Sequence, residues 1–95
     1  MSIAPGILPG TIPRFARGMR LREDPARARW VVVGPERLFV PDEIALEILR
    51  LLDGARSVDM IVDDLVARFA APRDAIATDV LALLNDLQAK GVVTP

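Results

Sequence analysis

The spacing of apolar residues changes once along this chain, at Pro41. Between residues 14 and 41 the period is close to two. In FARGMRLRED, Phe15, Arg17, Met19 and Leu21 alternate with Ala16, Arg20 and Arg22. RWVVV is a β-branched run, and RLFV is another, with the turn Gly34-Pro35-Glu36 between them. The pattern predicts three short strands, the last two forming a hairpin, with a looser turn at Asp24-Pro25-Ala26-Arg27 between the first two. After Pro41 the period becomes 3.6. Pro41 pre-sets a first helical turn, and Asp42 and Glu43 stand where the positive end of the helix dipole favours acids. Ile44, Ile48, Leu51 and Leu52 share one face, and Gly54 supplies a left-handed stop. Ser57 is a good N-cap for a second helix whose inner face is Val58, Ile61, Val62, Leu65 and Phe69. Pro72 starts a third helix to about Lys90, with Ile76, Val80, Leu83, Leu84 and Leu87 inward and Gly91 as its end. Three antiparallel strands followed by three helices define an α+β domain, with the helices on one face of a small sheet.

Residues 1–13 carry Pro5, Pro9 and Pro13 with Gly6 and Gly10, a spacing that forbids helix. They are expected to form a flexible N-terminal arm ahead of a single domain over residues 14–95. Ile3, Ile7, Leu8 and Ile12 make the arm more apolar than a linker needs, so it could exchange between subunits and give a homodimer.

Composition removes most chemistry. The chain has 95 residues, no Cys and no His. A domain this small buries about 60–65% of its unfolded surface, which leaves little room for an enclosed active site. The commonest general base and the thiolate nucleophile are both missing. One Trp, three Phe and no Tyr imply an aliphatic core. No apolar run reaches the 18 or so residues of a membrane span, and MSIAPGILPGTIP lacks the basic and apolar regions of a secretory signal, so a cytoplasmic protein is expected. Charge is unevenly divided. Residues 1–40 hold seven arginines against Glu23, Asp24 and Glu36, a balance of +4; residues 41–95 hold five basic groups against ten acids, a balance of −5.

Asp59, Asp63 and Asp64 could suggest metal ligands, but without His, Glu or a glycine-bearing loop they read as the solvated face of an amphipathic helix. Lys90 sits at a helix C-terminus, where a cation is favoured, and has no pocket to make it a nucleophile. Two short helices followed by a longer one resemble a winged helix-turn-helix, but Asp74, Asp79 and Asp86 outnumber Arg73 and Lys90 on the helix that would read DNA. Phosphate would be repelled there. A carrier domain would need an Asp-Ser pair; Ser57 follows Arg56. What remains is recognition through the backbone. An outer strand at Arg37, Leu38, Phe39 and Val40 would present unpaired N–H and C=O groups to an extended peptide. Ala77, Leu81 and Leu84 of the third helix form one shoulder of the core stripe and could supply the pocket wall. Such binding needs no cofactor.

RLFVPDEIALEILRLLDG, then SVDMIVDDLVARF, then IATDVLALLNDLQAKGVV resemble the PqqD family of pyrroloquinoline quinone biosynthesis, in order and spacing, from about Pro13 to Val93. The strand-Pro-acid junction, the Leu-Leu-Asp-Gly stop and Asp79-Val80 with Gly91 behind them carry the likeness. The resemblance implies a winged-helix-like recognition domain for ribosomally made, modified peptides, without catalysis of its own. It implies binding of the precursor peptide PqqA and its presentation to PqqE, a radical S-adenosylmethionine enzyme. It also implies a groove in which a peptide strand adds beside Arg37, Leu38, Phe39 and Val40, facing Ala77, Asp79, Val80, Leu81 and Leu84. The competing readings are a degenerate winged-helix DNA-binding regulator and a structural subunit that binds only the enzyme.

Overall fold

The computed structural model describes residues 6–95. In chain order the elements are β1 (Arg14–Phe15), β2 (Arg20–Asp24), β3 (Arg29–Gly34), β4 (Arg37–Phe39), α1 (Glu43–Leu49), α2 (Val58–Phe69), α3 (Arg73–Ala89) and β5 (Val93–Thr94), with a 3-10 turn at Pro25–Arg27. β2, β3 and β4 form an antiparallel sheet in that order, and the three helices follow it. This is the α+β architecture that the change of period predicts.

The first strand differs from expectation. Residues 14–24 do not run as one strand, because Met19 N donates to Ala16 O (2.9 Å) and Gly18 adopts a φ of +81°. The chain therefore turns, and its two halves pair separately. β2 pairs with β3, whereas β1 pairs with β5, placing Arg14 opposite Thr94 and Phe15 opposite Val93. The small β1–β5 sheet is absent from the sequence reading.

The helix boundaries follow local chemistry. Asp42 caps α1 by accepting from Ala45 N (2.8 Å), and Ser57 caps α2 by accepting from Met60 N (3.2 Å). α1 ends before Gly54, the expected stop. Leu51 N and Leu52 N bond back three residues, to Ile48 O and Leu49 O, and tighten the turn. The Asp53 carboxylate then takes both Ala55 N and Arg56 N at 2.9 Å. α3 ends where Gly91 predicts. At φ +75° its N–H bonds Gln88 O while Val92 N reaches Leu87 O, the paired bonds of a Schellman stop.

The core is aliphatic. Val32 of β3, Ile48 and Leu49 of α1, Val58, Ile61, Val62 and Leu65 of α2, and Val80, Leu84 and Leu87 of α3 join Val92 and Val93 in one cluster. Burying each such side chain contributes about 1.5–3 kcal/mol. Ile7 belongs to the same cluster at 2% exposure. Residues 6–13, expected within a flexible arm, instead lie against α2 and α3 of their own chain; residues 1–5 of that arm fall outside the described residues. The prolines exclude helix but leave extended backbone with free carbonyls. Thr11 O accepts from Val58 N (2.8 Å) and Pro9 O from Asp59 N (2.9 Å). With the Ser57 cap, three of the donors that a helix start leaves unmet are satisfied. Two expected core residues face outward instead: Ile44 is 70% exposed and Phe69 52%.

Candidate peptide-recognition site

Among the described residues β4 pairs only with β3, so one side of it is an open sheet edge. Its register decides which backbone groups that edge presents. Gly34 is opposite Arg37 across a two-residue turn, Val33 opposite Leu38 and Val32 opposite Phe39. In such a hairpin the pair flanking the turn exchanges hydrogen bonds, and alternate pairs do the same. Arg37 and Phe39 thus bond to β3, and Leu38 turns both its N–H and its C=O to the open side. The edge is anchored at its start, where Arg37 Nη2 donates to Lys90 O at the end of α3. It is followed closely by α1, whose entry Asp42 fixes.

Beside these elements, α1, α2 and α3 enclose an open cavity of about 550 Å³. Ile44, Leu46 and Ile48 of α1 form one wall, Leu65, Phe69 and Ala71 another, and Ile76 with Val80 the third. Glu43, Glu47 and Asp79 stand at its rim. Glu47 is ion-paired with Arg68, which also reaches Asp64 (3.4 Å). Glu43 and Asp79 have no ion-pair partner among the described residues. The outward placement of Ile44 and Phe69 has its explanation here, since both line this cavity. It is a concave, mostly apolar site with few polar groups, the form that binds a side chain rather than a metal or an anion.

The residues singled out from sequence fall into three groups. Leu38 (57% exposed) and Val40 (46%) are open to a partner, as are Arg37 and Asp79. Phe39, Ala77 and Leu81 are half-buried and pack on the core cluster. Leu84 is wholly buried (0%), and Val80 (1%) is reached only as the floor of the cavity. Burial therefore removes Leu84 from direct contact, because its side chain is already part of the core cluster. Sequence reading missed Ile44, Leu46 and Phe69 as cavity walls; helical periodicity assigned Ile44 and Phe69 to the core. The acidic pair Asp59 and Asp63 both face Arg73, at 3.5 Å for Asp59. Among the described residues no cluster of His, Cys, Asp or Glu is arranged to hold a metal ion, and no helix is long and apolar enough to cross a membrane.

A small sheet with an open edge at β4, followed by helices that line an apolar cavity, defines a peptide-recognition class of domain. Comparison with known proteins makes it particular. The family model Coenzyme PQQ synthesis protein D (PqqD) matches residues 29–93, and the chain belongs to that family. It is 51% identical over 82 residues to a PqqA binding protein of Rhodopseudomonas palustris (strain BisB5), covering 86% of this chain and 80% of the relative. It is 50% identical over 94 residues to a PqqA binding protein of Gluconobacter oxydans (strain 621H), covering 98% of each. Two solved structures are similar. One is the solution structure of the PqqD truncation of Methylobacterium extorquens PqqCD, described as a functional, stand-alone recognition element for ribosomally synthesized and post-translationally modified peptides. It has a TM-score of 0.79 at 34% identity, over 95% of this chain and 96% of that one. The other is a crystal structure of PqqD from Xanthomonas campestris, with a TM-score of 0.55 at 40% identity, over 78% and 82% of the two chains.

Proposed function

We propose that this protein is a non-catalytic peptide chaperone of pyrroloquinoline quinone biosynthesis. It binds the precursor peptide PqqA and presents it to the radical S-adenosylmethionine enzyme PqqE. The observation that carries the reading is the open edge of β4, where Leu38 offers a free N–H and C=O ahead of α1, the helix that walls the apolar cavity. The names of the relatives, PqqA binding protein, support the identity of the peptide. A chain without His or Cys supports a binding role rather than a catalytic one.

In this mechanism the peptide adds to β4 as a fourth strand. Main-chain hydrogen bonds to Leu38 hold it in an extended state, and its alternate side chains point to the outer face and to the helices. An apolar side chain on the helix side enters the cavity between Ile44, Phe69 and Val80. The template is preformed, so only the peptide loses conformational freedom.

The test is a two-dimensional amide NMR titration of the full chain with the precursor peptide, without the enzyme. The expected shifts lie at residues 37–40, at the start of α1 and along residues 76–81. Shifts confined elsewhere would keep the function and discard the site. No shift, with the enzyme still bound, would leave a subunit that contacts only the enzyme.

A further inference from the structure

The sheet has a second face, turned away from the core, with Leu38 of the peptide edge at its β4 end and β2 at the other. Leu21, Val32 and Phe39 lie in one cross-strand row and pack on the core. The neighbouring row, Arg20 opposite Val33 opposite Leu38, points the other way; so does Arg22, which is exposed although its cross-strand neighbour Val31 is buried. Charge is distributed on this face in an unusual manner. The chain has 12 Lys and Arg side chains. Arg27 and Arg29 bond Asp24, Arg56 pairs with Asp53, Arg68 with Glu47, Arg73 with Asp63, and Lys90 with Asp86. Arg37 donates to a carbonyl, and Arg50 lies over Trp30 at 4.8 Å. The four without a charged or hydrogen-bonded partner among the described residues are Arg14, Arg17, Arg20 and Arg22, all exposed; Arg20 and Arg22 stand on this face, while Arg14 belongs to β1 and Arg17 to the turn after it. A shallow depression of about 510 Å³ lies beside Arg20, the one of the four that lines it, with Met19, Val33 and Pro35 as its apolar part.

We infer that this face is a docking surface for a protein with carboxylates around an exposed apolar side chain, and that its occupant is the modifying enzyme of the proposed function. The inference rests on that function. Unpaired guanidiniums on a strand present planar, bidentate donors that match carboxylates and repel one another until neutralised. The depression beside Arg20 gives an apolar side chain a seat, which a nucleic-acid backbone has no group to fill. Placement also favours the enzyme: β2 is the sheet edge opposite β4, so an enzyme held on the Arg20 and Arg22 side leaves the Leu38 edge free for the peptide. Charge steering from such a face acts mainly on association and weakens with salt.

The experiment measures binding of the full-length chain to the purified radical enzyme and, separately, to the precursor peptide. It compares wild type with Arg20→Glu/Arg22→Glu and with Arg20→Lys/Arg22→Lys, at low and high salt. The reversal is expected to weaken enzyme binding by about tenfold or more at low salt, while peptide affinity stays unchanged and the lysine pair stays close to wild type. If the reversed chain does not fold, Arg20→Gln/Arg22→Gln is read in the same way. Unchanged enzyme affinity in the reversal would overturn this surface and leave the adaptor standing. Failure of the wild type to bind the enzyme would overturn both. Loss of peptide binding along with enzyme binding in a folded variant would show one surface rather than two. A reversal that abolished only self-association or duplex DNA binding would name another occupant and overturn the assignment.

Discussion

Asn85 of α3 holds Ile7 by both of its backbone groups. Its Oδ1 accepts from Ile7 N (2.9 Å) and its Nδ2 donates to Ile7 O (3.1 Å), so the carboxamide completes the pairing that a neighbouring strand would supply. Nδ2 also meets Leu81 O at 2.9 Å. Asn85→Ala leaves two part-buried backbone groups of Ile7 without their partner. The expected loss of stability is about 1–3 kcal/mol by urea denaturation. Amide exchange at Val58 and Asp59 should accelerate as well, since their acceptors, Thr11 O and Pro9 O, belong to the released segment.

Leu38→Pro removes the N–H that faces the open side of β4 and none that bonds β3. Peptide binding is expected to disappear while far-ultraviolet circular dichroism stays close to wild type, because an edge strand tolerates proline where a central strand does not. Undiminished binding by this variant in the NMR titration would sink the edge-strand model.

Ile44→Lys places a charge at the mouth of the apolar cavity. Ile44 is 70% exposed, so stability should change by no more than about 0.5 kcal/mol. Peptide affinity should fall by about tenfold, the value of one apolar contact of roughly 1.4 kcal/mol. Isothermal titration calorimetry of the two chains against the same peptide measures it. Equal affinities would remove the cavity from the site.

Asp53 ionises below the ordinary aspartate range, chiefly because Ala55 N and Arg56 N donate to its carboxylate. A carboxyl depressed in the folded state stabilises the fold fully above its unfolded pKa and loses that contribution as pH falls through its folded value. In a carbon-detected NMR titration of the side-chain carboxyls, Asp53 should therefore titrate below the ordinary aspartate range. Asp53→Ala should flatten the acid side of the stability profile. A midpoint for Asp53 within or above that range would contradict the assignment.

Much of this fold could be read locally. The cap at Ser57, the acid at Asp42 and the stop at Gly91 each act within a few residues, and their chemistry is complete in a short window. Features that join distant segments could not be read in that way. Nothing near Ile7 announces Asn85, and nothing near Arg14 announces Thr94, because the partners are set by the packing of α2 on α3. The site divides similarly. An open edge at Leu38 follows from strand count and order, which composition and turns imply. The cavity does not, since three helices contribute to it. A periodic pattern marks Ile44 and Phe69 as apolar without saying whether their stripe faces the core or its mouth. The same ambiguity placed Leu84 in a binding groove when its side chain is core.

The latch between Ile7 and Asn85 also sets an order of events as the chain is made. Its two halves are 78 positions apart, and bringing such distant points together carries an entropic penalty on the order of 4 kcal/mol. The α2–α3 hairpin closes over a far shorter loop and can form first. On the ribosome Ile7 has no Asn85 to grip until α3 has emerged. Its docking then registers that α3 is in place, and a segment translated before the helices is secured only after them.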